Sequence, residues 1–209
     1  MCSIIGSFDI EILKRLILLN QHRGNFSYSI TGINKSETKR EFGELDPNSL
    51  SGMDGNDYYL CHVQAPTGGL IKDENRIHPV KHEDSLLWHN GILTDSGIKR
   101  LQVETESTET FDTYLMVKAL DKYGLDILND IEGLFSCVWK NKDGKYLVFR
   151  TKHGKLYVDE NLSISSERFE GSKCINFDTV YEIDWENRVL KPIANFKTRM
   201  FNFIIKGEM

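Results

Sequence analysis

Short apolar runs separated by turn-forming residues recur along most of the sequence, and they constrain the fold more than any other feature. Segments such as 58–63, 135–139 and 146–150 are rich in β-branched and aromatic residues, which is typical of strands. The last two flank segment 141–144, Asn-Lys-Asp-Gly, whose composition predicts a hairpin turn. Roughly ten runs of this kind predict a mainly antiparallel β-structure.

Two segments depart from this pattern because their apolar residues recur at helical spacing. They are 10–20 and 110–123, and Thr108 or Thr110 is the expected cap of the second one. Two helices and about ten strands predict the α+β class, as a mainly antiparallel two-sheet sandwich flanked by helices. We expect the whole chain, 1–209, to form a single domain.

Two other stretches contain turn-forming residues. The polar, turn-rich segment 31–56 predicts an excursion over the surface. A strand at 86–88 is expected to end at 89–91, because Asn-Gly is a strong turn signal.

Composition excludes several classes of function. Apolar residues make up 40% and charged residues 27% of the chain, which is ordinary for a soluble globular protein. The net charge of −5 argues against nucleic-acid and membrane-surface binding. The apolar segment 13–19 is too short to span a bilayer, and the start of the chain lacks a basic leader. We therefore expect a cytoplasmic protein.

The cysteine and histidine spacings do not suggest a metal site. The four cysteines form no C-x-x-C pair, and Cys61, Cys137 and Cys174 are expected to be buried free thiols. The six histidines show no spacing typical of metal ligands. The sequence therefore predicts neither a metal nor a disulfide framework.

Cys2 follows the initiator Met directly, and this position gives it a specific chemistry. Removal of Met1 would expose a residue with both a thiol and a free α-amine. An α-amine titrates near pH 8 and a thiol near 8.5, so part of the amine is neutral and able to accept the thiol proton. One residue can then supply both the nucleophile and its base.

A series of short motifs accompanies Cys2 in a fixed order along the chain. Together they resemble the glutaminase domain of the class II glutamine amidotransferases, over residues 2–167. The resemblance implies an N-terminal nucleophile hydrolase-like fold and an enzyme that hydrolyses the side-chain amide of L-glutamine without a cofactor. The motifs are 1–6 (MCSIIG), 22–27 (HRGNFS), 62–69 (HVQAPTGG), 78–79 (HP), 89–91 (HNG), 111–113 (FDT), 134–139 (LFSCVW), 150–157 (RTKHGKLY) and 166–167 (SE).

The resemblance also implies the catalytic roles. Cys2 would attack the glutamine carboxamide, and its α-amine would take the thiol proton and deliver one to the leaving ammonia. The Asn90 side chain and the Gly91 backbone N–H would form the oxyanion hole, since both are neutral donors that the fold can hold in place. The alternative for Asn90 and Gly91 is an ordinary hairpin turn.

The same resemblance implies the residues that bind the substrate. Asp112 would take the glutamine α-ammonium, although a carboxylate is also favoured in the first turn of any helix. Thr67 and Gly68 would line the pocket. Arg23 matches a family arginine beside the nucleophile, and a solvated position after a helix end is its alternative.

Gln64 departs from the family pattern, which has an arginine there to grip the glutamine carboxylate through two parallel hydrogen bonds. The amide of Gln64 donates hydrogen bonds but carries no charge. Either Arg76 or Arg23 supplies the positive charge, or glutamine binds weakly, or the substrate is a different amide.

Three functions therefore remain open. The first is release of ammonia from glutamine for an unknown acceptor. In full-length family members a second domain uses the ammonia, and we expect a partner protein to do so here, because few residues follow Glu167. The second is hydrolysis of another small amide by the same nucleophile. The third is a non-catalytic relative that binds glutamine.

Overall fold

The structure, a computed structural model, describes residues 2–65 and 72–199. Within these ranges, thirteen strands form two antiparallel sheets that three α-helices accompany. The predicted class, α+β with a two-sheet sandwich and flanking helices, is confirmed. None of the described helices is long and apolar enough to cross a membrane.

The two sheets divide the chain unevenly. The helices are α1 (Ile10–Asn20), α2 (Asp95–Thr105) and α3 (Asp112–Tyr123). The first sheet contains β1 (Ser3–Ser7), β2 (Ser27–Gly32), β3 (Glu37–Phe42), β4 (Tyr59–Gln64), β9 (Tyr157–Val158), β10 (Ile164–Ser165) and β11 (Lys173–Cys174). The second contains β5 (Val80–His82), β6 (Ser85–Leu93), β7 (Gly133–Lys140), β8 (Tyr146–Arg150), β12 (Thr179–Asp184) and β13 (Val189–Asn195).

The strand order places the candidate site residues on interior strands. The first sheet runs β11-β9-β10-β1-β4-β2-β3, so β1, which follows Cys2, lies between β10 and β4. The second sheet runs β13-β12-β8-β7-β6-β5, so β6, which carries Asn90 and Gly91, lies between β7 and β5. Both strands are paired on each side, which fixes their register.

Side-chain alternation along these strands builds four layers. On β1, Ile4 packs between the two sheets while Ile5 packs against α1. On β6, Trp88 packs between the sheets while Leu87 packs on the side of α3. Successive side chains of a strand point to opposite faces, so each sheet buries one face against the other sheet and one against helices.

Helix α1 begins and packs as its sequence predicts. The Asp9 side chain accepts hydrogen bonds from the backbone N–H groups of Glu11 (2.8 Å) and Ile12 (3.0 Å), which caps the helix. Leu13 and Ile17 are fully buried against the first sheet. The helix therefore fixes the outer face of β1.

Helix α2 was not predicted, and α3 begins differently from the prediction. The buried positions of α2 are Gly97, Leu101 and Thr105, which are too few apolar residues to give a helical pattern. Helix α3 begins after Phe111 without a side-chain cap, so neither Thr108 nor Thr110 caps it.

The surface segment 31–56 contains a strand, and the strand predicted at 86–88 continues through 89–91 instead of ending there. The first segment contains β3, an edge strand whose side chains alternate between exposed and half-buried positions and therefore lack an apolar pattern. Residues 89–91 lie inside β6 and are not a turn, because His89 pairs with Cys137 and Gly91 with Phe135 of β7.

Gly91 allows the backbone of β6 to pass close to the backbone of β7. A Cβ atom at this position would lie 2.1 Å from the Leu134 carbonyl oxygen and 2.6 Å from the Phe135 Cα. Both atoms belong to the backbone of β7, so neither can move aside as the tip of a side chain could. A glycine is therefore required at position 91 for the observed strand pairing.

We expect Gly91→Ala to lower the free energy of unfolding by about 1–3 kcal/mol or to prevent folding, as overpacking of a buried site does. Gly55→Ala is the matched control, because a Cβ there meets no atom within 4 Å. Urea unfolding followed by circular dichroism measures both variants. Equal unfolding midpoints for the two would contradict the steric account.

Candidate active site

Cys2 lies at the junction of β1 with the end of β4. Its thiol is 3.6 Å from the Ala65 carbonyl oxygen, to which it donates, and the residue is half-buried. Its own carbonyl accepts a hydrogen bond from Arg23 Nε at 3.0 Å. The backbone of the candidate nucleophile is therefore held in place while its side chain faces the end of β4.

The surroundings of Cys2 keep its thiol protonated. Burial raises the pKa of the Cys2 thiol above its ordinary value, and the nearby Asp112 carboxylate acts in the same direction. The Arg23 guanidinium opposes them by favouring the thiolate. A thiol with a raised pKa needs a base beside it to become a nucleophile, which is the part an adjacent α-amine can take.

Arg23 is a buried anchor and not a solvated residue. One of its nitrogens, Nη1, lies 2.5 Å from Glu167 Oε1, and Nε donates to Cys2. The next residue, Gly24, lets the chain pass close to β4, since a Cβ there would lie 2.6 Å from the Gln64 carbonyl carbon. The guanidinium is thus occupied by Glu167 and the Cys2 backbone.

Asn90 is connected to β1 through a single hydroxyl. Its Nδ2 donates to Ser166 Oγ at 3.0 Å, and the same oxygen accepts the backbone N–H of Ile4 at 3.0 Å. An amide nitrogen carries two N–H bonds, and within 2–65 and 72–199 Ser166 is the acceptor of one of them. The second N–H can donate to a substrate oxygen. Asn90 is two strand positions from Trp88, so its side chain lies on the same face of β6 and points toward the sheet that contains β1.

Asp112 is the first residue of α3. Its Oδ1 accepts the Thr113 backbone N–H at 2.7 Å and the Thr113 hydroxyl at 3.2 Å. Its charge acts to raise the pKa of both the Cys2 thiol and the His89 ring, so it lies near both groups. Thr67 and Gly68, which were predicted to line the pocket, lie outside the described residues.

Gln64, the departure from the family pattern, is the last residue of β4. Its Oε1 accepts a hydrogen bond from the Ser27 hydroxyl at 2.9 Å, across the pairing of β2 with β4. The side chain is therefore held by its neighbour in the sheet, and it brings no positive charge to the site.

Arg76 is a cation near the start of α3. Its guanidinium lies 5.2 Å from the centroid of the Phe111 ring, directly before Asp112. Its ion pairs with Glu109 (3.5 Å) and Asp73 (3.8 Å) are long, and its side chain is about one-third exposed. Unlike Arg23, Arg76 has a guanidinium that a substrate carboxylate can approach from solvent.

Among residues 2–65 and 72–199, no group of three His, Cys, Asp or Glu side chains has an arrangement that could hold a metal ion. Three buried histidines, His62, His78 and His89, do lie together. Burial lowers the pKa of all three rings, that of His62 to about 3, so they are neutral.

Sequence reasoning did not assign roles to the residues that support the site. Ser166 and Glu167 were noted as a motif, and their contacts with Asn90 and Arg23 give them structural roles. No role was predicted for Asn20. Its side chain accepts a hydrogen bond from the Ser3 hydroxyl (2.5 Å) and donates one to the Ser165 hydroxyl (2.9 Å). A buried Asn at the end of an apolar helix was the available signal.

No protein-family model and no curated protein matches the sequence. Solved structures match its fold. The glutamine phosphoribosylpyrophosphate amidotransferase from B. subtilis, complexed with ADP and GMP, has a TM-score of 0.67 at 15% identity, covering 96% of this chain and 50% of that chain. A structure described as the allosteric regulatory enzyme of purine biosynthesis has a TM-score of 0.65 at 17% identity, with 96% and 50% covered.

A third structure is similar over its whole length. The glutamine aminotransferase class-II domain protein from Silicibacter pomeroyi has a TM-score of 0.54 at 13% identity, covering 94% of this chain and 99% of that chain. The present chain thus spans half the length of the first two proteins. Likeness at such low identity is informative about the fold alone, and it shows that this chain shares its α+β two-sheet sandwich with these glutamine amidotransferase structures.

Proposed function

We propose that this protein hydrolyses the side-chain amide of L-glutamine to glutamate and ammonia, with Cys2 as an N-terminal nucleophile once Met1 is removed. The observation that supports this most is the connection of Asn90 to Ile4 through Ser166, which brings a fixed amide donor to the strand that follows Cys2. A nucleophile and a rigid neutral donor are the minimum for acyl transfer from an amide.

The proposed reaction proceeds in two halves. The Cys2 sulfur attacks the carboxamide carbon while its proton passes to the Cys2 α-amine, and the resulting oxyanion accepts hydrogen bonds from Asn90 Nδ2 and the Gly91 N–H. The α-ammonium then protonates the leaving nitrogen, so ammonia departs and a thioester remains. Water, deprotonated by the same amine, hydrolyses the thioester and regenerates the thiol.

In this proposal, charged residues bind the α-ammonium and the α-carboxylate of glutamine. Asp112 binds the α-ammonium, and Thr67 and Gly68 line the pocket. Arg76 binds the α-carboxylate in place of an arginine at position 64, because its ion pairs are long and Arg23 is held by Glu167. The released ammonia passes to an acceptor that a partner protein presents.

Hydrolysis of a different small amide is the second candidate. Gln64 favours it, because an uncharged side chain held by Ser27 does not select for a carboxylate. Comparing the turnover of L-glutamine, L-asparagine and simple carboxamides separates the two candidates. A clear preference for an amide without a carboxylate would replace the glutaminase proposal.

Cys2→Ala is the variant that tests the proposed nucleophile. We expect it to abolish ammonia release from L-glutamine, whereas Cys174→Ala should leave the rate unchanged. The prediction of a buried thiol was wrong for Cys174, which is an exposed free thiol on the short strand β11. Ammonia is measured with a coupled assay after intact mass has confirmed that Met1 is absent. Equal loss in both variants, or turnover that survives Cys2→Ala, would refute the assignment. No turnover in the unmodified protein would favour the non-catalytic alternative.

Gln64→Arg tests the charge at the carboxylate end. We expect the variant to lower the KM for L-glutamine about ten- to hundredfold, because a charge-assisted pair contributes roughly 1.5–3 kcal/mol. Gln64→Met is the matched control, since it has a similar length, no charge and no bond to Ser27. Steady-state kinetics measure all three proteins. An unchanged KM in Gln64→Arg would show that the carboxylate does not bind near position 64.

A further inference from the structure

One hydroxyl and three imidazoles form a buried cluster behind Asp112, which we name the Thr113 cluster. Its members come from four elements: His62 from β4, His78 from the segment before β5, His89 from β6, and Thr113 from α3. The His62 and His78 rings stack at a centroid distance of 4.1 Å. All four residues are nearly inaccessible to solvent, so each of their N–H and O–H groups needs an acceptor inside the protein.

The Thr113 hydroxyl is shared by three neighbours. Its oxygen lies 2.9 Å from His89 Nδ1, 3.2 Å from His78 Nε2 and 3.2 Å from Asp112 Oδ1. A hydroxyl has one proton to donate and two lone pairs to accept with, and an ionised carboxylate can accept only. The proton therefore goes to Asp112, and both imidazoles donate to the Thr113 oxygen.

The remaining ring nitrogens agree with this assignment. Within the described residues, His78 Nδ1, His89 Nε2 and His62 Nδ1 are buried without a partner. A neutral imidazole carries a single proton, and burying an N–H without an acceptor is unfavourable. Each proton therefore sits on the other nitrogen, which for His62 is Nε2, 3.0 Å from the His89 carbonyl oxygen.

We propose that Thr113 is a positioning residue that aims the Asp112 carboxylate at the α-ammonium of the substrate. The two imidazole N–H groups fill the lone pairs of the Thr113 oxygen, so its proton has no acceptor other than Asp112 among the described neighbours. Oδ1 of Asp112 is then held by the Thr113 hydroxyl and backbone N–H, and Oδ2 is left for the ammonium. The inference rests on the proposed function, since it assumes an amino-acid amide as substrate.

This role predicts a selectivity that a general structural role does not. L-glutamine and glutaramic acid, which is glutamine without its α-amino group, share the amide and the carboxylate. Misdirecting Asp112 weakens binding of the first and leaves the second untouched. A loosened site or a less stable fold would instead affect the two amides equally.

Thr113→Val removes the hydroxyl and keeps the shape of the side chain, and Thr113→Ser keeps the hydroxyl. We expect Thr113→Val to lower kcat/KM for L-glutamine by about tenfold or more, mainly through KM, and that for glutaramic acid by less than about threefold. Thr113→Ser should stay within about threefold of the unmodified enzyme on both. A parallel loss on both amides in Thr113→Val, or no loss on L-glutamine, would overturn the proposal.

Histidine tautomers provide a measurement that does not depend on turnover. Long-range proton–nitrogen NMR spectra of the unmodified protein should show protons on His78 Nε2 and His89 Nδ1, and Thr113→Ser should retain them. Protonation at the opposite nitrogen of either ring would refute the cluster even in an active enzyme. If the unmodified enzyme hydrolyses neither amide, the glutaminase proposal fails by itself, and the tautomers alone then decide whether the Thr113 proton is committed to Asp112.

Discussion

The hydroxyl of Ser166 connects the two sheets beside Cys2, and the geometry of the site depends on this contact. It accepts the Ile4 N–H from β1 and an N–H of Asn90 from β6, while the Ser166 N–H donates to the Ile4 carbonyl at 3.0 Å. Two sheets packed through side chains alone can slide by fractions of an ångström. A hydrogen-bonded link fixes their relative position, and donors to an oxyanion act only when their distance is fixed.

The polar groups around this link are buried, which is favourable only because they are paired. Asn20, which is fully buried at the end of α1, donates to the Leu16 carbonyl and to Ser165, and accepts from Ser3. A satisfied buried network resists distortion, since displacing one member leaves others without partners. The position of β1 beside Cys2 thus depends on the hydrogen bonds of Asn20 as well as on apolar packing.

The sequence predicted most of the fold because alternation and turn residues are local signals. The hairpin at 141–144, helix α1 and the strands at 58–63, 135–139 and 146–150 were predicted close to their observed bounds. The errors fall where the local signal is weak or misleading. Helix α2 buries one large apolar residue, Leu101, and the Asn-Gly pair of β6 occupies a strand because Gly91 fits against β7. Tertiary packing decides such positions over local propensity.

The resemblance predicted the residues that would contact a substrate. It did not predict the residues that hold them in position, because these come from distant parts of the chain that the two sheets bring together. Ser166 is 162 positions from Ile4, and His78 is 35 positions from Thr113, so no spacing rule connects them. The surroundings of Gln64 likewise depend on strand pairing that no local sequence pattern predicts. The Oε1 of Gln64 accepts a hydrogen bond from Ser27, its partner in the pairing of β2 with β4, so the uncharged side chain is accommodated within the sheet. In the proposed reaction, binding of the charged end of the substrate falls to Asp112 on α3 and Arg76 in the segment before β5, which the register of β4 does not constrain.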